Sequence, residues 1–285
     1  MTTMTLDLRP SPIAGTWYQG DPDALARSVD QYMERAALPE LSGELMGVIA
    51  PHAGHTYSGP VAGQAFAAVR GGAYDVVAIL SPYHNYHESP LLATAHEAYE
   101  TPLGSIPVDR QSLDRLDGEL KRSLGVGIRR IARDPEHSLE IELPFLQRAL
   151  AKPFSLLPVM VRAQAPQVAK MLGAALARVL ERRSFLLVGS TDLSHFHTQA
   201  TARVLDEVML EQIAAFSPEG MFAAEFAGKG YACGLGPSAA TLWAARQLGA
   251  DRVVVLGHAT SGDVTGDYTS VVGYGAAAIL KSQPA

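Results

Sequence analysis

Short, wholly apolar runs alternate along the chain with longer stretches that carry an apolar stripe every three or four residues. The first kind occurs at Met46–Ala50, Val76–Leu80, Ser155–Val161, Phe185–Val188 and Val253–Leu256, and a further strand-like run covers Ser270–Ile279. Runs of this length, bounded by turn residues and lacking a polar face, are what strands buried on both faces of a parallel sheet contribute. The second kind predicts helices from Pro22 to about Ala36, from Ser58 to about Arg70, and over Gln111–Leu124, Ser138–Ala151, Pro166–Arg183, Ala200–Phe216, Pro218–Phe226 and Pro237–Leu248. Asp21 is placed to cap the first of these, with Pro22 at its first helical position. Strand and helix in alternation imply βαβ units, hence one α/β domain over residues 1–285 with a mainly parallel central sheet and helices on both faces. Residues 1–8 precede these elements and are expected to form a flexible N-terminal extension.

Four of the apolar runs lead within a few residues to histidine: Met46–Ala50 to His52 and His55, Val76–Leu80 to His84 and His87, Phe185–Val188 to His195 and His197, and Val253–Leu256 to His258. In an open α/β sheet the residues just past the carboxyl ends of the strands line the ligand crevice. Seven of the nine histidines therefore map to one edge. Neutral imidazole is the commonest metal ligand, which makes a metal site on that edge the first expectation. His52 follows Pro51 and precedes Ala53-Gly54, a constrained backbone with small neighbours, and His84 follows Pro82, which ends its strand and lets a turn carry the ring over the sheet edge. His55 and His87 fit either partners behind these ligands or solvent-facing loop residues.

The remaining candidates leave more than one reading open. Asp192 and His195 share a strand-to-helix loop at a three-residue spacing that puts both on one face if the first helical turn begins there; the alternative is an N-cap aspartate and a surface histidine. His137, between Glu136 and Ser138, precedes the apolar helix face of Leu139, Leu143 and Leu146 and fits a capping role. His96 and His197 read as structural. Cys233 by itself reads as a small buried hydrophobe, yet it precedes Gly236-Pro237, a helix start whose dipole is expected to lower a thiol pKa.

Composition narrows the classes. A formal net charge of -6, with no basic cluster beyond Arg129-Arg130 and Arg182-Arg183, argues against nucleic-acid binding. No apolar stretch approaches a bilayer span and Met1–Gly20 has no apolar signal core, so a soluble cytoplasmic protein is expected. The single cysteine excludes an internal disulfide and fits a reducing compartment. No Gly-x-Ser-x-Gly elbow, P-loop or Gly-x-Gly-x-x-Gly fingerprint follows a strand, which counts against serine hydrolase, nucleotide and dinucleotide functions.

Several uncommon segments occur together and in order: Ala14-Gly15-Thr16-Trp17-Tyr18, Ala50-Pro51-His52-Ala53-Gly54-His55-Thr56-Tyr57-Ser58-Gly59, Glu136-His137-Ser138-Leu139-Glu140, Ser190-Thr191-Asp192-Leu193-Ser194-His195, Cys233-Gly234 and Thr260-Ser261-Gly262-Asp263. From about residue 8 to the C-terminus this order and spacing resembles the Memo family. The resemblance implies a fold similar to that of class III extradiol ring-cleavage dioxygenases, which use non-haem iron. The family's metal-binding pattern falls on His52, His84 and Cys233, with Asp192 and His195 close by, and it makes His137 a candidate proton donor facing the site. His258 departs from the pattern, where an aromatic such as tyrosine is more usual. The resemblance also implies association with a radical-SAM enzyme and an AMMECR1-like protein in bacterial and archaeal systems.

A donor set of two imidazoles and one thiolate is softer than the two-His-one-carboxylate face of non-haem Fe(II) oxygenases, so the expected cofactor is a metal ion, iron or copper ahead of zinc. Three functions fit. The first is a metal-dependent, dioxygenase-like oxidoreductase acting on an unassigned small molecule, with His195, Asp192 and His137 as catalytic groups. The second is a non-catalytic iron- or copper-binding redox-regulatory protein. The third is a hydrolase, either metal-assisted or using Cys233 as nucleophile.

Overall fold

Apolar runs with no polar face end up at the centre of one nine-stranded mixed sheet in the computed structural model, which describes residues 6–282. In chain order the strands are β1 (Leu8–Arg9), β2 (Glu44–Ala50), β3 (Val76–Pro82), β4 (Leu91–Thr94), β5 (Ala98–Thr101), β6 (Gly104–Pro107), β7 (Arg129–Ile131), β8 (Ser155–Val161), β9 (Phe185–Ser190), β10 (His195–His197), β11 (Arg252–Thr260) and β12 (Val271–Lys281). The large sheet runs β10-β12-β2-β9-β3-β8-β4-β7, and β11 also pairs with β12. Its heart, β2-β9-β3-β8, is parallel, and these are the strands buried on both faces. Antiparallel pairings flank the heart, β12 on β2 and β4 on β8. The mainly parallel sheet predicted from the apolar runs is thus realised in these four strands, with antiparallel additions on either side.

The helices are α1 (Pro22–Glu34), α2 (His55–Ala68), α3 (Arg110–Leu124), α4 (Leu143–Ala149), α5 (Pro166–Leu180), α6 (Gln199–Ala214), α7 (Pro218–Phe226), α8 (Leu235–Gln247) and the single turn α9 (Gly262–Thr265). They flank the sheet in two groups: α1, α2 and α4 pack on one another, as do α3, α5, α7 and α8, while α6 lies against β11 and β12. Asp21 caps α1 as expected, its carboxylate accepting from Ala24 N at 2.8 Å. The helix predicted from Ser58 begins one turn earlier, with Gly54 as its N-cap and Pro60 inside it. The helix predicted over Ser138–Ala151 is a 3₁₀ turn, Glu140–Glu142, followed by the short α4.

A second, three-stranded sheet joins β1, β5 and β6. Residues 1–5 of the expected N-terminal extension lie outside the described residues. Asp7 and Leu8 are held in place: the Asp7 carbonyl accepts from Glu97 N and Leu8 pairs with Ala98. No helix among the described residues is long and apolar enough to cross a membrane.

Candidate metal centre

Of three adjacent parallel strands, two end level and the third one residue further, and each places a polar residue two positions past its last residue. β2 ends at Ala50 and gives His52, β9 ends at Ser190 and gives Asp192, and β3 ends at Pro82 and gives His84. Because β9 lies between the other two, Asp192 falls between the histidines in the strand order. Cys233 reaches the same place from the turn before α8. Its N–H donates to the Asp192 carbonyl, and Gly234 N donates to Thr191 Oγ1 at 2.9 Å. Gly234 is required by this docking, since a Cβ there would stand 2.2 Å from the Ser190 carbonyl oxygen.

The donor atoms of His52, His84 and Cys233 all lie within 4.8 Å of one another. His52 Nε2 is 3.1 Å from Cys233 Sγ, and both residues are buried. Each imidazole is anchored through its other nitrogen: His52 Nδ1 on Ser190 Oγ at 3.0 Å, His84 Nδ1 on Glu136 Oε1 at 2.9 Å. That leaves Nε2 as the free ring nitrogen on both, the arrangement in which an outer partner fixes a metal-binding imidazole. Two imidazoles and one thiolate suit iron, copper or zinc, so the residues present fit the implied ion.

Glu136 is the organiser of the His84 side. Its carboxylate accepts from His84 N, His84 Nδ1, His137 N and Ser138 N. Burial works to raise its pKa, but the His84 hydrogen bond and charge outweigh that and hold the carboxyl well below the usual range. The loop carrying Glu136 is tied down in turn by Arg9, a fully buried guanidinium that donates to the Glu136 carbonyl at 2.7 Å, to Glu140 at 2.6 Å and to Asp134 at 2.8 Å.

The neighbouring groups are largely desolvated. Burial, then the nearby His137 and His84, keep the His52 pKa well below its ordinary value, so the ring is neutral. Burial pushes Asp192 up to about 7, partly offset by the N–H groups of His52 and Ala53. Its Oδ1 accepts from His52 N at 2.7 Å, so the carboxylate positions the His52 backbone. His137 stacks on His84, with ring centroids 4.9 Å apart, and packs at a tilt against Trp17 at 4.1 Å; burial lowers its pKa to about 4. His195 has Nδ1 on the Leu193 carbonyl at 2.8 Å and lines a cavity of about 460 Å³ with Tyr231, Glu225 and Thr201.

Several expectations change. Asp192 and His195 are not on a helical turn: residues 191–194 form an irregular connection, His195 opens β10, and the helix starts at Gln199. Asp192 caps no helix. Cys233 does precede a helix, yet burial and then the Asp192 carboxyl push its thiol well above the ordinary value, because desolvation outweighs the helix terminus. His55 is neither a partner to the ligands nor a loop residue. It opens α2, packs against Tyr18, Tyr32 and Phe145, and bonds to the Ile141 carbonyl at 3.1 Å. His87 accepts from Ser89 N within its own loop. His258 lies inside β11 rather than past its end, 2.8 Å from Asp206 on a separate cavity. His96 bridges Asp7 and the Ala132 carbonyl, a structural role, while His197 is exposed.

Glu136 and Ser190, which lie in the segments that carry the family resemblance, and Glu142 hold the centre although none of the three is among the candidate site residues expected from the sequence. Glu140 and Glu142 did carry a signal, alternating with Leu139, Ile141 and Leu143 in a stretch that leaves no polar face.

A family model described as Memo-like protein matches residues 9–278. The chain is 35% identical over 276 residues to a MEMO1 family protein of Methanothermobacter thermautotrophicus, covering 94% of this chain and 98% of that one. It is 34% identical over 281 residues to one of Methanopyrus kandleri (94% and 97%) and 31% identical over 273 residues to one of Nitrosopumilus maritimus (94% and 98%). The match spans the strand ends that gather His52, His84 and Cys233 as well as the Arg9-tied loop that steadies them, and on this full-length agreement the chain belongs to the Memo family.

Proposed function

We propose that this protein binds a transition metal through His52 Nε2, His84 Nε2 and Cys233 Sγ, iron or copper ahead of zinc, and uses it for oxidoreductase chemistry on a small molecule. The observation that carries the reading is the convergence of these donors within 4.8 Å, each imidazole secured by a hydrogen bond at its far nitrogen. A bound ion of this kind would supply Lewis-acid polarisation and, for iron or copper, electron transfer. His84 is the more exposed ligand, so a small molecule would approach from its side, past the stacked His137 and half-exposed Trp17. His195, with Nδ1 spent on Leu193 O, offers Nε2 to take or return a proton at the mouth of its cavity. Asp192 supports the His52 backbone. Anaerobic purification followed by elemental analysis tests the reading: near-stoichiometric iron or copper, lost in His52→Ala and retained in His195→Ala, supports it, and a metal-free protein that takes up neither ion contradicts it.

The 3.1 Å contact between Cys233 Sγ and His52 Nε2 also favours a second reading, a thiol nucleophile beside its base. Alkylation of Cys233 separates the two. Protection by metal fits the ligand; protection by substrate and indifference to metal fits the nucleophile.

A further inference from the structure

Behind His52 lies a closed group of polar atoms that metal ligation alone does not explain. Ser190 Oγ is 3.0 Å from His52 Nδ1, 2.6 Å from Glu142 Oε1 and 2.8 Å from the Ser138 carbonyl oxygen. His52, Ser138, Glu142 and Ser190 are all buried, so their polar atoms must be satisfied by one another. A hydroxyl has one proton to give and two lone pairs to fill, and a carbonyl can only accept. If Ser190 gives its proton to Ser138 O, it can accept from a proton-bearing Glu142 Oε1 and from an Nδ1–H on His52. Every contact is then used once. A charged Glu142 would instead draw the Ser190 proton to itself and leave Ser138 O with no donor from this group. It would also keep a buried anionic Oε2 that has no hydrogen-bond partner.

We propose that Ser190 and a neutral, proton-bearing Glu142 form a positioning relay that locks His52 as its Nδ1–H tautomer, with the Nε2 lone pair permanently presented to Cys233 and its metal. Burial of Glu142, only partly offset by the Ser190 hydrogen bond, works in the same direction by holding its carboxyl well above the usual range. The consequence for ligation rests on the metal-binding reading above; the tautomer itself does not. Neither Ser190 nor Glu142 touches the donor atoms at Nε2 and Sγ, so both act through the orientation and tautomer of the His52 ring.

The test is histidine tautomer assignment by ¹⁵N NMR on the metal-free protein, with the carboxyl region of the infrared spectrum read in parallel. The expected result is a His52 protonated at Nδ1 and bare at Nε2, with a protonated-carboxyl band at neutral pH that disappears in Glu142→Gln. That variant keeps the Nδ1–H form because its amide N–H can still donate to Ser190. Ser190→Ala should give a mixture of tautomers and weaken metal binding ~10–100-fold, as loss of an outer-sphere partner does, while Glu142→Gln weakens it far less. A His52 protonated at Nε2 in the wild type, a carboxyl band unaffected by Glu142→Gln, or full metal affinity in Ser190→Ala overturns the relay. If the wild type takes up no metal yet shows the Nδ1–H tautomer, the metal reading has failed and the relay stands.

Discussion

Removing the Glu136 carboxylate should damage the protein twice over. Glu136 is 1% exposed and accepts from three backbone N–H groups, those of His84, His137 and Ser138, as well as from His84 Nδ1. Glu136→Ala leaves those donors without an acceptor. At ~1 kcal/mol for each backbone N–H once water has partly filled the gap, the loss comes to about 3 kcal/mol. The half-exposed His84 ring adds little to stability, because solvent screens it. Glu136→Gln keeps an oxygen for the three donors clustered on Oε1 but sets an amide N–H against His84 N, so about 1–2 kcal/mol is expected. In Glu136→Ala, where His84 Nδ1 is left unanchored, metal affinity should fall ~10–100-fold. Urea denaturation gives the first quantity and competitive metal titration the second. A Glu136→Ala variant within 1 kcal/mol of the wild type, with metal affinity unchanged, would refute the view that this carboxylate organises the His84 side.

Two further outcomes follow from the geometry. Gly234→Ala would put a Cβ 2.2 Å from Ser190 O and 2.8 Å from Thr191 Cβ, backbone-proximal atoms that have little room to yield. It should cost ~1–3 kcal/mol by overpacking and displace Cys233, so a variant with unchanged thermal midpoint and metal affinity contradicts the docking described. His55 titrates near 4 in the fold because burial, against its bond to Ile141 O, disfavours the charged ring, whereas in the unfolded chain it titrates near 6.5. Between those values the unfolded state binds more protons, so this residue's contribution makes stability fall as pH drops from 6.5 to 4. At 1.36 kcal/mol per unit the shift from 6.5 to about 4 amounts to about 3 kcal/mol. Asp192, raised to about 7, contributes the opposite slope over much of that range, so the comparison must be with His55→Gln. Parallel pH profiles for the two proteins would refute the assignment.

The parallel heart of the sheet was legible because β2, β3, β8 and β9 have no polar face, a pattern that local chemistry and tertiary burial both enforce. The convergence of His52 and His84 followed from it, since residues past neighbouring parallel strands share one edge. Strands β4 and β7 are four and three residues long and pair with residues distant in sequence, while β5 and β6 make a tight hairpin of four-residue strands, so none is long enough to show a local period. The antiparallel β11–β12 pair was not legible: the apolar runs Val253–Leu256 and Ser270–Ile279 leave residues 257–269 between them, long enough for a parallel crossover, whereas β11 runs on to Thr260. Helix α2 was misplaced because Pro60 suggested a first turn, whereas Gly54 and the His55 N–H bond to the Trp17 carbonyl set the start earlier. Glu136, Ser190 and Glu142 are not assignable to the site from sequence because their partners lie between 48 and 138 positions away, and only the folded chain brings a carboxylate behind each imidazole.

The proposed ligation of one metal ion by Cys233, His52 and His84 has a spectroscopic signature. Anaerobic titration of the metal-free wild type and Cys233→Ser with Co(II), followed by its visible spectrum, tests it most directly. A cobalt thiolate absorbs by ligand-to-metal charge transfer and a serine hydroxyl does not, being neutral and hard where the thiolate is anionic and polarizable. The expected result is one equivalent bound by the wild type with a thiolate band, and in Cys233→Ser loss of that band with affinity weaker by at least about tenfold, or 1.4 kcal/mol. Equal affinity in the two proteins, with no thiolate band in the wild type, would contradict it.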